Sequence, residues 1–268
     1  MNNLTATFRK LHTETQLLCL ANAWDAGSAR LIESLGAPAI ATTSAGVSWA
    51  LGYADGNVLP AHSLAVLAAN IVRLIRVPLS VDFEAGFSNF PAVVGENIKL
   101  LLNAGVAGIN IEDGRDSPDL LVAKIDQIKT SAAAHGTDLF VNVRTDVYLQ
   151  GLVAEEKRLE ETVVRGRRYR LAGADGFFVP GLTESGQVRT IAEEVCLPLN
   201  LMAWPGQSPA DALHKLGVRR LSTGSAIPQV LWAHAEALAR EFLALGRSEP
   251  LYETYMPHQG LQALFAGR

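Results

Sequence analysis

Pro78-Leu-Ser-Val-Asp-Phe-Glu-Ala-Gly86 and Ala107-Gly-Ile-Asn-Ile-Glu-Asp-Gly114 are the two stretches that decide how this chain is read. Each runs apolar and ends acidic. In an extended strand alternate side chains share a face, so Asp82 and Glu84 are expected on one side, as are Asn110 and Glu112. Carboxylates gathered at the carboxyl ends of buried strands are costly to desolvate unless a cation or a substrate offsets them, which points to a metal-assisted site. The competing explanation is that each acid caps the helix after its strand, since aspartate is a favoured N-cap. Three acids at strand spacing favour the site.

Outward from these strands the chain is punctuated by glycines that close helices. Gly36, Gly105, Gly173 and Gly217 each precede an apolar run, as expected where a left-handed cap hands a helix over to a strand. Gly36 and Gly105 are 69 residues apart and Gly105 and Gly173 are 68 apart, each about two units of roughly 34, a length suited to one strand plus one helix. Strands are predicted at 17–22, 38–43, 79–83, 107–112, 139–144, 176–179, 199–202 and 219–222. Eight apolar strands alternating with helices predict a single (β/α)8 TIM-type barrel, spanning residues 1–268 as one domain. An open doubly wound sheet is disfavoured, because no Gly-rich dinucleotide fingerprint follows the first strand. The segment 44–59 is read as a long loop. The tail 247–268 carries Leu251, Tyr252, Tyr255, Met256, Leu261, Leu264 and Phe265, and is expected to pack on a partner subunit.

Composition narrows the function. The chain is 49% hydrophobic and 19% charged with a net charge of −4, and its basic residues are scattered. That argues against nucleic acid as a partner, with Arg165-Gly-Arg-Arg-Tyr-Arg170 read as a solvated helix face. No apolar run reaches membrane-spanning length and no leader precedes the first helix, so a cytoplasmic protein is expected. Cys19 and Cys196 are read as buried thiols. No Gly-x-Ser-x-Gly elbow or Gly-Lys-Ser/Thr phosphate loop occurs, and none of the six histidines falls at a strand end.

In this fold class chemistry gathers at the carboxyl ends of the strands. The small residues Thr43, Ser44, Ala45 and Gly46 offer backbone N–H groups suited to a carboxylate, although a plain tight turn fits the same sequence. Arg144, in Asn142-Val-Arg-Thr-Asp146, is a candidate clamp for a substrate carboxylate, its alternative being an internal ion pair with a nearby acid. Asn200 is a weaker candidate, since a buried amide also serves to satisfy backbone groups.

Taken in order, Thr43-Ser-Ala-Gly-Val-Ser48, Leu51-Gly-Tyr-Ala-Asp55, Asp82-Phe-Glu-Ala-Gly-Phe87, Ala107-Gly-Ile-Asn-Ile-Glu-Asp113 and Asn142-Val-Arg-Thr-Asp146 resemble the isocitrate lyase/phosphoenolpyruvate mutase superfamily over most of the chain. The resemblance implies a barrel whose last helix is exchanged between subunits of a homo-oligomer, a dimer or more commonly a tetramer. It implies Mg²⁺ (or Mn²⁺) and a small 2-oxo or 2-hydroxy acid at the strand ends. By position Asp82 resembles the acid nearest the metal, with Asp55, Glu84 and Glu112 acting mainly through bound water. Thr43, Ser44 and Ala45 fall on the family's carboxylate-holding backbone, and Arg144 on its carboxylate-binding arginine.

One departure shapes the expected activity. Lyases of this family carry a Lys-Lys/Arg-Cys-Gly-His stretch after the fourth strand, whose cysteine protonates the leaving enolate. Here Glu112-Asp-Gly-Arg-Asp-Ser-Pro118 runs directly into a helix expected to start near Asp119. The expected function is a Mg²⁺-dependent carbon–carbon lyase or decarboxylase acting through an enolate, with Arg144, Asp55 and Glu112 as catalytic residues. The alternatives are phosphorus–carbon chemistry on a phosphonopyruvate-like substrate and a non-catalytic 2-oxo-acid-binding protein.

Overall fold

The computed structural model describes residues 4–266. Nine parallel strands make one sheet: β1 (Leu18–Leu20), β2 (Asn22–Ala23), β3 (Ile40–Thr42), β4 (Leu79–Asp82), β5 (Gly108–Glu112), β6 (Phe140–Arg144), β7 (Gly176–Phe178), β8 (Leu199–Met202) and β9 (Val218–Ser222). The order is β1-β9-β8-β7-β6-β5-β4-β3-β2. Its two ends, β1 and β2, are halves of one strand parted at Ala21. The sheet therefore curls into the expected eight-stranded barrel, with β1 on β9 and β2 on β3. The strands are short and β-branched or aliphatic on the outside, where Ile40, Val81, Ile109, Ile111, Val141, Val143 and Phe177 meet the helices. Such two-sided burial is what a parallel sheet requires.

The helices are α1 (Leu4–Leu11), α2 (Ala26–Ser34), α3 (Ser44–Ala50), α4 (Ala61–Leu74), α5 (Pro91–Ala104), α6 (Pro118–Ala134), α7 (Arg158–Leu171), α8 (Ser185–Val195), α9 (Ala210–Lys215), α10 (Ala226–Leu245) and α11 (His258–Phe265). None is long and apolar enough to cross a membrane. Helix α1 closes the amino end of the barrel: Phe8 packs with Leu18, Leu20, Ala39, Ala41, Ala107 and Phe140. His12 stacks on Phe140 at 4.3 Å between ring centroids. The glycine punctuation holds, with Gly105, Gly173 and Gly217 all at positive φ.

Three expectations change. The segment 44–59 is not all loop, because Ser44–Ala50 forms α3 with Thr43 at its N-cap position; small residues without a capping side chain hid the helix start. The basic run 165–170 is a solvated face only in part, with Arg167 and Arg170 exposed. Arg165 and Tyr169, one turn apart, are buried and both reach Asp113. Both thiols are exposed rather than buried, and Cys196 ends α8 in the left-handed conformation. Within the same chain, Arg30 Nε donates to the Leu264 carbonyl at 2.8 Å.

Candidate active site

Strand alternation delivers the site. Register places Glu112 on β5 opposite Arg144 on β6, and their side chains pair, Arg144 Nη1 lying 2.8 Å from Glu112 Oε2. Arg144 Nε donates to Asp146 Oδ1 at 2.6 Å, and Nη2 takes part in neither pair. Asp146 is fully buried and is held in turn by Gln150 Nε2 at 2.5 Å and by its own N–H to Asp113 Oδ1 at 2.9 Å. Sequence reading passed over Asp146. Its signal was the i, i+2 spacing from Arg144, which puts it on the same face of the strand end.

Asp113 is structural. Its Oδ2 accepts from Thr145 Oγ1 (2.7 Å), Tyr169 OH (2.7 Å) and Arg165 Nη1 (2.9 Å). With its oxygens filled by protein donors it ties α7 to the ends of β5 and β6.

Asp82 ends β4. Its Oδ2 accepts from the Ser44 N–H and its Oδ1 from the Glu84 N–H, both at 3.3 Å, while its own N–H donates to Thr42 Oγ1 at 2.8 Å. Glu84 reaches the cluster by a different route from simple alternation. The strand stops at Asp82, and Glu84 takes a left-handed conformation at φ +50°, followed by Gly86 at +85° and Phe87 at +58°. Asn57 Oδ1 accepts from the N–H of Ala85 (3.0 Å) and Phe87 (3.3 Å), and Lys124 Nζ donates to the Ala85 carbonyl at 2.8 Å. Lys124, on α6 and almost fully buried, carried no sequence signal because a helical lysine is usually a surface residue. Glu84 Oε2 accepts from the Gly56 N–H at 3.1 Å and from the Asn57 N–H, fastening the Asp55-bearing loop to the turn.

The acids repel one another in a poorly solvated space. Burial, reinforced by Asp82 and Asp55, pushes Glu84 up to about 7, against the hydrogen bonds from Asn57 and Gly56. Burial pushes Glu112 up to about 8 despite Arg144, with Asp82, Asp146 and Glu84 adding repulsion. Asp82 is also raised, again mainly by burial, with Arg144 and two backbone N–H groups opposing. Burial works against the charge of Arg144, yet Glu112 and Asp146 outweigh it and hold the guanidinium protonated.

The structure thus brings Asp82, Glu84, Glu112 and Arg144 together, with Asp55 at an exposed loop close enough to act on the first two. Ser44, Ala45 and Gly46 form the first turn of α3, which leaves the Ala45 and Gly46 N–H groups without intrahelical acceptors. Gly46 is buried, and a Cβ there would lie 2.8 Å from Thr43 Cγ2 and 2.9 Å from Trp24 Cβ. Asn200 is buried on β8. Its Oδ1 accepts from Ser222 Oγ at 3.5 Å, and its Nδ2 has no hydrogen-bond partner. Among the described residues no three His, Cys, Asp or Glu side chains converge tightly enough to cage a metal ion. The donor set is nonetheless hard carboxylate oxygen, and a dication held by one acid directly and by others through water would relieve the repulsion that raises them.

Comparison with known proteins matches residues 8–243 to the family described as phosphoenolpyruvate phosphomutase. An uncharacterised protein of Mycobacterium tuberculosis (strain H37Rv) is 35% identical over 261 residues, covering 96% of this chain and 95% of its own. An oxaloacetate decarboxylase of Paraburkholderia xenovorans (strain LB400) is 30% identical over 268 residues, covering 96% of this chain and 86% of its own. The crystal structure of 2,3-dimethylmalate lyase, a phosphoenolpyruvate mutase/isocitrate lyase superfamily member, superposes with a TM-score of 0.84 over 98% of this chain and 94% of that one, at 24% identity.

Proposed function

Because this chain belongs to the phosphoenolpyruvate phosphomutase family, within the isocitrate lyase/phosphoenolpyruvate mutase superfamily, we propose that it is a metal-dependent lyase that decarboxylates a small 2-oxo dicarboxylate. The observation that carries the choice of reaction is the connection after β5. Only Asp113 to Asp116 separate Glu112 from Ser117, whose side chain caps α6 by accepting from the Leu120 N–H at 3.3 Å. There is no room for a mobile segment bearing a proton donor. Aldol-type cleavage needs a base for the hydroxyl and an acid for the departing carbanion. Loss of the carboxylate β to the oxo group of a 2-oxo dicarboxylate needs neither at the bond-breaking step. The carbon–carbon bond electrons pass into the enolate, carbon dioxide departs, and water supplies the proton afterwards.

A bound Mg²⁺ or Mn²⁺, held by Asp82 and through water by Glu84, Glu112 and Asp55, would supply Lewis acidity toward the 2-oxo group. The protein's own contribution is orientation and charge. The first-turn N–H groups of α3 receive the substrate's carboxylate, and Arg144, aimed by Asp146, offers its remaining guanidinium edge to the same group or to the developing enolate oxygen. Asp55 reaches the site on a loop whose position depends on Glu84. The small substrate is bound as an anion, consistent with two cationic or dipolar receivers facing an otherwise acidic ring.

The oligomer belongs to the same reading. Helix α10 buries only Pro228, while Val230, Leu231, Trp232, Phe242, Leu243 and Leu245 are exposed. An apolar face of that extent is accounted for by a second copy of the chain, giving a homo-oligomer with α10 at the interface. Turnover and calorimetry on one panel of 2-oxo acids and phosphonates test the proposal. Metal-dependent loss of a carboxylate from an oxo acid is expected; binding without turnover, or turnover of phosphonates alone, would refute it.

A further inference from the structure

The barrel interior holds a second buried arginine, and the site as described does not use it. In β9 residues Val218, Arg220 and Ser222 are buried while Arg219 and Leu221 are less so. Arg220 has no exposed surface, and its Nε, Nη1 and Nη2 all lack a hydrogen-bond partner. One ladder row leads to it from the site: Glu112 lies opposite Arg144, Arg144 opposite Phe178, Phe178 opposite Asn200, and Asn200 opposite Arg220. The Phe8 ring packs against the guanidinium on the closed side, 5.9 Å from Cζ to the ring centroid. Burial works against the charge of Arg220, and Asp82 favours it.

A fully buried cation with no acceptor destabilises a fold, and an apolar residue of similar volume would serve packing better. Residues that break the rules of local consistency concentrate at functional sites. We propose that Arg220 is an electrostatic positioning residue, whose fixed charge inside the barrel loosens the hold of the acid cluster on the dication and tightens the hold on the anionic oxo acid and its enolate. The inference rests on the metal and enolate reading above. Its physical content is a sign. A fixed positive charge in a low-dielectric interior repels a dication and attracts a dianion, so removing it moves the two affinities in opposite directions. A packing role would move both the same way.

The test uses the full chain and its Arg220→Met and Arg220→Lys variants, with calorimetry of Mn²⁺ alone and then of oxalate at saturating Mn²⁺. Oxalate is a planar dianion that mimics the enolate of a 2-oxo acid. Arg220→Met is expected to bind Mn²⁺ about three- to tenfold more tightly and oxalate about three- to tenfold more weakly. Its melting temperature should be at or above the parent's, and lysine should restore both affinities. Affinities that move together or stay unchanged would overturn the inference while leaving the proposed activity intact. Failure of Arg220→Met to fold would contradict the premise that the cation is unpaired and destabilising. A parent protein that bound neither Mn²⁺ nor oxalate would overturn the site reading and this inference with it.

Discussion

Arg144→Lys separates a substrate clamp from an internal counter-ion, because the structure gives Arg144 features of both. Its Nε and Nη1 are engaged by Asp146 at 2.6 Å and Glu112 at 2.8 Å, and its third nitrogen is in neither pair. Lysine keeps the charge but carries its donors on a single point, so it cannot span both acids and present a further edge to a ligand. Losing a charge-assisted hydrogen bond to the substrate removes about 1.5–3 kcal/mol, roughly ten- to a hundredfold in affinity. The internal pairs suffer too. Asp146 is fully buried, so weakening its bond should cost about 1–3 kcal/mol, and each kcal/mol is worth roughly 2–4 °C in a chain of this size. Calorimetry with oxalate at saturating Mn²⁺, alongside scanning calorimetry, should therefore show both losses. Oxalate affinity within about twofold of the parent, with the melting temperature still depressed, would refute the clamp and leave Arg144 as a counter-ion for the acids.

Asp82→Ala should abolish Mn²⁺ binding by calorimetry without lowering the melting temperature of the metal-free protein, since it removes one charge from a repelling cluster; retained Mn²⁺ affinity would dismiss Asp82 as the direct ligand. Tyr169→Phe should destabilise by about 1.5–3 kcal/mol in urea unfolding, because it deletes a 2.7 Å hydrogen bond to the buried Asp113 carboxylate, and a change below about 0.5 kcal/mol would contradict that role. His12 is held down to about 3, first by burial and then by Arg220. The folded state thus refuses a proton that the unfolded chain accepts below about 6.5, so stability should fall by about 1.4 kcal/mol per pH unit from pH 6.5 toward 3. His12→Phe should remove that component, and identical slopes of stability against pH in variant and parent would count against it.

The barrel and most of the acid cluster were legible because period-2 alternation is a local property. Asp82, Glu112 and Arg144 follow from it directly, and the glycine at each helix end fixed the repeat. Other features depend on chain crossings that no local pattern records. Glu84 enters the cluster through a left-handed turn held by Asn57 and Lys124, residues 27 and 40 positions away in sequence. Helix α3 begins without a side-chain cap, so its small residues read as a turn. Arg165 and Tyr169 sit inside a basic run, and their shared face became visible only when Asp113 was placed against it. Arg220 was hidden for the opposite reason: the sequence Arg219-Arg220 looks polar and exposed, and only the barrel's closure puts the second of the pair inside.

The central claim, metal-dependent decarboxylation at the Asp82–Arg144 site, is tested most directly by carbon dioxide release from oxaloacetate. The rate is measured with protein and Mg²⁺, corrected for Mg²⁺ alone, and repeated with chelator and with Asp82→Ala. A saturable, Mg²⁺-dependent rate that chelator removes and Asp82→Ala fails to support is the predicted result. A rate no greater than Mg²⁺ alone, or one that survives in Asp82→Ala, would contradict it.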